Sequence, residues 1–296
     1  MTHEYNIAGL RLRCEGASSD IACAVPGFSV FETSATDGAA HMIFHGDMKV
    51  DTDGMTLTEL DRFDFPDVGA DCFFYRFDGG HLLRMVRRDD GYTASFAIRD
   101  DSREAVSDIA AAGNPEPAML RFGLWMMLGI VMTRHNAAMI HSSVIVAHGR
   151  AVLFLGESGT GKSTHTRLWR ENIVGARLLN DDSPVLHIGP DGQPEVSGSP
   201  WSGKTPCYVD RTFPIAAIVR LSQAPHNRII RLNALSSIGA VLPSCPPAFA
   251  YDAALQDRIC TLVSDVLSCV PVYHLECLPD ADAARLAHET IFDQKR

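Results

Sequence analysis

The sequence predicts an α/β protein in which a small β-rich N-terminal domain (1–112) precedes a larger domain built on a mixed sheet (113–296). Three observations carry that reading. Residues before about 110 form short apolar or alternating runs, AAGNPEPAML (111–120) is a Pro/Gly break, and AVLFLGESGTGKSTHT (151–166) runs an apolar strand into a glycine-rich turn.

In chain order, YNIAGLRLR, HMIFHG, DCFFYRF, HLLRMVRR and YTASFAIRD read as strands, because their apolar residues alternate or run briefly between Asp, Gly and Ser clusters. A small antiparallel sheet is the expected result. This region groups no His, Cys or carboxylates at functional spacing and suits a structural or partner-recognition role. PAMLRFGLWMMLGIVMTRH then predicts a long apolar helix opening the second domain. Its apolar centre, 122–132, is shorter than the roughly 20 residues a membrane span needs, so it reads as buried. SVIVA (143–147) and AVLFL (151–155) are separated only by His148, Gly149 and Arg150. That connection demands an antiparallel hairpin, since parallel neighbours need a crossover of about a dozen residues. Strands follow at 176–180, 184–188, 194–198 and 215–222, with a GPDG turn joining the second and third, and helices at 161–171, 234–241, 254–269 and 280–292, the last capped by Asp280.

Composition narrows the partners. At 296 residues and 46% hydrophobic content, the chain supplies two modest cores. A net charge of −10 argues against nucleic acid or an anionic membrane as the main partner. The eight cysteines show neither CxxC pairs nor Cys/His spacing suited to zinc and are expected as reduced thiols. MTHEYNIAGLRL lacks a basic segment followed by an apolar run, so a cytoplasmic protein is expected.

Gly156, Glu157, Ser158, Gly159, Thr160, Gly161, Lys162 and Ser163 satisfy GxxxxGK[ST] between an apolar strand and a helical segment, the context that motif requires. Glycines let successive N–H groups converge on phosphate oxygens at a helix amino end, so Gly156, Ser158, Gly159, Thr160, Gly161, Lys162, Ser163 and Thr164 are the expected nucleotide-binding residues. Lys162 reaches the outer phosphates in this reading, and the Ser163 hydroxyl ligates Mg²⁺. Asp181 and Asp182 end an apolar stretch only 19 and 20 residues after Lys162, much sooner than the acidic strand of common ATPases and GTPases. Adjacent strand residues face opposite ways, so both serve one site only at a strand end or bulge. One as metal ligand and one as base for an attacking hydroxyl is the sharp reading; the plainer one is a turn-forming Asn-Asp-Asp-Ser-Pro cluster.

HSSVIVAHGRAVLFLGESGTGKST followed by LLNDDSP resembles the HPr kinase/phosphorylase and ATP-dependent phosphoenolpyruvate carboxykinase superfamily, strongly over about 138–200 and not over 1–110. The resemblance implies Asp181 as catalytic base, Asp182 and Ser163 as metal ligands, and His141 near the transferred phosphate. It also matches Glu195 to a metal-site glutamate, although Ser197 replaces the arginine of the family's EIRG segment. That replacement weakens HPr as the substrate. The likeness extends to small kinases encoded with peptide-modifying enzymes, which phosphorylate a hydroxyl on a precursor peptide.

GSPWSGKT (198–205) reads as a lid or acceptor loop, with Lys204 neutralising phosphate charge and Trp201 covering the site, or as a plain exposed loop. The expected activity is an ATP- and Mg²⁺-dependent kinase acting on the hydroxyl of a peptide or protein serine or of a small metabolite. A nucleotide-dependent binding protein and a carboxykinase-like enzyme are the alternatives. The oligomeric state, a homo-oligomer included, does not follow from a glycine-loop match.

Overall fold

The computed structural model describes residues 2–15, 25–34, 38–109, 116–203 and 205–293. It is α/β with mixed sheets, and the chain divides into two compact units. One comprises 1–135 with 248–256, the other 136–247 with 257–296. Compactness thus separates the units at His135/Asn136, later than the Pro/Gly break suggests. The apolar helix after that break belongs to the first unit.

That unit is one eight-stranded sheet. Its strands are β1 (His3–Ile7), β2 (Leu10–Glu15), β3 (Met42–His45), β4 (Thr58–Phe65), β5 (Ala70–Phe77), β6 (Gly80–Arg87), β7 (Thr93–Arg99) and β8 (Glu104–Ser107), in the order β1-β2-β3-β8-β7-β6-β5-β4. Burial alternates along β2 and β5 as their sequence pattern predicts. The expected all-antiparallel sheet is corrected at β3, which lies parallel to both β2 and β8. Long stretches of chain on either side of β3 give it room to enter in that direction. β4 and β8 carry no clear alternation of apolar residues and escaped the sequence reading.

Helix α1 (Pro117–Thr133) packs on β6 and β7. Gly123 makes that approach close, because a Cβ there would overlap the ring of Phe96 on β7. Helix propensity alone gives Gly→Ala in a helix interior about 1 kcal/mol of stabilisation, whereas overpacking a closed core costs about 1–3 kcal/mol. The steric term wins. Gly123→Ala is expected to lower stability by about 1–2 kcal/mol, read as a lower urea midpoint at unchanged slope; a stabilised variant would contradict this packing.

The second unit is built from β9 (Ala137–Met139), β10 (Ser142–Ala147), β11 (Arg150–Leu155), α2 (Lys162–Asn172), β12 (Arg177–Asp182), β13 (Val185–Ile188), β14 (Pro194–Ser197), β15 (Thr212–Gln223), β16 (Arg228–Arg231), α3 (Ala234–Val241), α4 (Ala253–Cys269), β17 (Val272–Cys277) and α5 (Ala281–Phe292). The first residues of α4 fall in the other unit. β10 and β11 form the expected antiparallel hairpin, with a two-residue turn at His148 (φ 51°) and Gly149 (φ 73°). Across the main sheet the order is β12-β10-β11-β15-β17-β16, with β11, β15 and β17 mutually parallel. The first residues of β15 also pair with β14, extending a smaller antiparallel set through β13 to β9.

Both faces of the main sheet are buried. Ile145, Val152, Phe154 and Val219 pack with Trp169 of α2 and Ala284 of α5, while Val144, Leu153, Leu155 and Ile218 pack with Val241 of α3 and Val263 of α4. Near-continuous apolar strands such as AVLFL therefore suit this sheet. Asp280 caps α5 by accepting from the Ala283 N–H, as the sequence predicts. β17 was missed because VYHLEC interrupts its apolar run with His274 and Glu276; His274 meets the Ser222 hydroxyl at 2.8 Å. Among the described residues no helix is long and apolar enough to cross a membrane, and the seven described cysteines are free thiols.

Candidate functional site

The glycine-rich stretch connects the end of β11 to the start of α2. Gly161 takes φ 102° at the N-cap of α2, a left-handed conformation that other residues rarely tolerate. Gly156 takes φ 155°, and a Cβ there would sit 2.5 Å from the Thr160 hydroxyl. No side chain caps α2, and its first turn contains no acidic residue. The amino end of this helix thus keeps its N–H groups and partial positive charge for an anion.

β10 lies between β11 and β12, so its first residues separate the glycine turn from the Asp pair. Ser142 stands opposite both Leu155 and Asp182, and Ser143 opposite both Phe154 and Asp181. Paired residues share a face of a sheet and neighbours along a strand do not. Asp181 therefore faces α2 with Ser143, and Asp182 faces the opposite side with Ser142.

Asp181 is buried, and its Oδ1 accepts from the Ser143 hydroxyl at 2.6 Å and the Ser163 hydroxyl at 2.9 Å. Ser143 also meets the Thr166 hydroxyl of α2 at 3.1 Å. Asp182 is half-buried; its Oδ2 accepts from the Ser183 hydroxyl, and its Oδ1 lies 3.6 Å from Nδ1 of the exposed His141. Lys162 donates to the carbonyls of Gly156 at 2.8 Å and Glu157 at 3.1 Å. Burial holds its ammonium below the usual lysine range; Asp182 and then Asp181 oppose that shift, and Arg220 adds to it. Two carboxylates and a second cation thus lie within electrostatic range of Lys162. At the end of β12 both acids, on opposite faces, act electrostatically on Lys162.

Asn180 organises the strand end. Its Oδ1 accepts from the N–H groups of Asp182 and Ser183, and its Nδ2 donates to the Trp201 carbonyl at 3.0 Å. The Gly203 N–H donates to the Asp181 carbonyl at 3.2 Å, and Ser202 bridges to Asp182. Residues 198–202 are consequently buried, with Trp201 only 3% exposed. This corrects the alternative of a plain exposed loop for 198–202. Lys204 lies outside the described residues.

Glu195 is not brought to the Asp pair. It stands opposite His187 in the β13–β14 pairing, with its carboxylate against Gly189 at the turn. Among the described residues, no group of three or more His, Cys, Asp and Glu is arranged to hold a metal. A nucleotide-bound magnesium needs no such cage, because phosphate oxygens and water supply most of its ligands. Ser163 with Asp181 fits that demand: a hydroxyl that donates its hydrogen bond to a buried carboxylate keeps a lone pair free for a metal.

Ser143, Thr166 and Asn180 have roles that the sequence reading did not assign. The hydroxyls carried no motif, and only the β10–β12 register brings Ser143 to Asp181. The sequence matches no family model, and no curated protein matches it.

Behind the loop, His165 is 2% exposed and its Nε2 accepts from the Trp169 indole at 3.2 Å. Burial pushes its pKa down from 6.5 to about 4. Between those values the unfolded chain binds a proton that the folded chain refuses, so this histidine's contribution to stability is lost as pH falls through that window. The shift corresponds to about 3 kcal/mol. Urea titrations at pH 7, 5.5 and 4.5 are expected to show that loss in the native chain and a shallower one in His165→Gln. Equal pH slopes would contradict a neutral, buried imidazole.

Proposed function

We propose that this chain is an ATP- and Mg²⁺-dependent phosphotransferase acting on a hydroxyl group, with a phosphate-loop domain of the HPr kinase and phosphoenolpyruvate carboxykinase type. The observation that carries the proposal is the Ser163–Asp181 hydrogen bond of 2.9 Å at the uncapped amino end of α2. It ties the glycine turn to the acidic strand end, the two halves that nucleotide-phosphate chemistry requires.

Magnesium nucleotide, when bound, supplies the phosphoryl group and the neutralising metal charge. The protein's residues do the rest. Amides of 158–163 cradle phosphate oxygens, Lys162 moves from the Gly156 and Glu157 carbonyls to phosphate, and Arg220 adds a second cation. Asp181 holds the proton of Ser163 and fixes that hydroxyl for the metal. Asp182 lies on the opposite face, half-buried beside His141, and takes the proton of the acceptor hydroxyl. Geometry thus favours a division opposite to the family resemblance, with Asp182 as base and Asp181 on the metal side. The acceptor is a peptide, protein or small-molecule hydroxyl.

Transfer of label from γ-labelled ATP tests the activity, with free serine, inositol and serine-containing peptides offered as acceptors and Lys162→Ala as control. Label on an acceptor that depends on Lys162 is the expected outcome. Tight nucleotide binding without transfer to any acceptor or to water would instead favour a nucleotide-dependent binding protein. The two aspartates separate in a second measurement. Asp182→Asn is expected to lower kcat by about 10²–10⁴-fold while leaving MgATP affinity within a few-fold. Asp181→Asn is expected to raise the Mg²⁺ concentration needed for half-maximal activity by about tenfold or more. If Asp181→Asn shows an unchanged Mg²⁺ requirement and Asp182→Asn shows the shift, the roles are reversed.

A further inference from the structure

A cleft of about 510 Å³ opens beside the glycine turn, between the start of α2 and the carboxyl ends of β15 and β17. Its walls include Gly161, Thr164 and Leu168 from the loop and helix, and Gln223, Ala224 and Leu278 from the strand ends. That volume lies in the range of small-molecule sites, about 300–1,000 Å³. The strand order gives the cleft a direction. In β12-β10-β11-β15-β17, the Asp pair lies on one flank of the loop-bearing strand β11 and the cleft on the other. A phosphate chain that runs along the loop toward the Asp pair must leave its other end on the cleft side.

Three features set the chemistry of the cleft. Leu278 is 38% exposed although it is a large apolar residue, and it stands beside Pro279 at the lip. His165 contributes a buried imidazole ring to its wall. The Gln223 side chain donates from Nε2 to the Gly159 carbonyl at 3.1 Å. That bond fixes the amide so that Oε1 remains as an acceptor without a protein partner among the described residues.

We propose that this cleft holds the nucleoside of the phosphoryl donor, and that Gln223 selects a base with an amino group at its six-position, adenine over guanine. The inference rests on the proposed phosphotransferase reading of the adjacent loop. A flat base covers Leu278 and Pro279 and removes apolar surface from water. Adenine presents a donor to Oε1. Guanine presents a carbonyl there, and two acceptors facing each other in a partly dry cleft cost guanine affinity, which is the source of the selectivity. Gln223 also braces Gly159, so the same side chain links the base site to the phosphate turn.

Equilibrium binding to the full chain with magnesium tests this, using ATP, GTP and inorganic tripolyphosphate as the three probes. ATP is expected to bind at least about tenfold more tightly than either of the others, the scale of one well-placed contact set. Ala224→Trp, which fills the cleft, is expected to weaken ATP about tenfold and to leave tripolyphosphate within twofold; Leu278→Ser is a gentler second variant with the same direction. Gln223→Ala is expected to bring ATP and GTP within about threefold of each other. Unchanged tripolyphosphate binding shows that a variant is folded. If ATP binds no better than tripolyphosphate, or both cleft variants leave ATP unaffected, the cleft is not the nucleoside site although the phosphate loop stands. A cleft variant that weakens ATP beside a Gln223→Ala that preserves selectivity would overturn the role of Gln223. Failure of all three probes to bind would instead overturn the phosphate-loop reading itself.

Discussion

One carboxylate fastens the second unit's site together. Asp181 Oδ1 accepts hydrogen bonds from Ser143 on β10 and Ser163 on α2 while itself lying near the end of β12, so a single buried oxygen joins three elements distant in sequence. A buried carboxylate is costly unless charge or hydrogen bonds compensate it, and here two hydroxyls and the nearby Lys162 do so. The glycine turn, the acidic strand end and the intervening hairpin are therefore not independent modules. Removing any one leaves the other groups with an unsatisfied partner.

The sheet then divides the labour of the site. Residues opposite Ser143 face α2 and those opposite Ser142 face α3 and α4, so two consecutive aspartates occupy different surroundings. One is buried among hydroxyls; the other is half-open beside an exposed histidine. Like charges placed side by side on one face would repel and raise each other's proton affinity, and the pleat avoids this without any special backbone device.

Much of this was legible in the sequence wherever a local pattern had a single physical solution. The three residues between SVIVA and AVLFL permitted only a hairpin, the glycines before Gly-Lys-Ser required positive φ, and Asp280 had the chemistry of a cap. What was not legible depended on pairing between distant segments. Nothing local distinguishes Ser143 as the partner of Asp181 or Asn180 as the organiser of 198–203, because those roles exist only once the β10–β12 register is set. Glu195 illustrates the converse: the family resemblance implied a metal-site role for it, yet its strand pairs with β13 and carries it toward a turn. The helix 117–133 likewise showed its burial in its composition but not the sheet it would cover.

The register of β12 contains one irregularity, a shift that leaves Leu179 as an extra residue between the pairs Val144–Asn180 and Ile145–Leu178. In a regular strand, gaining or losing one residue would rotate everything beyond it to the other face. At a bulge the change can be absorbed locally. β12 is thus divided into a lower part that answers to the core and an upper part that answers to the acids. The bulge uncouples the two, so a residue gained or lost in the lower strand can be absorbed there while Asp181 and Asp182 keep their separate faces.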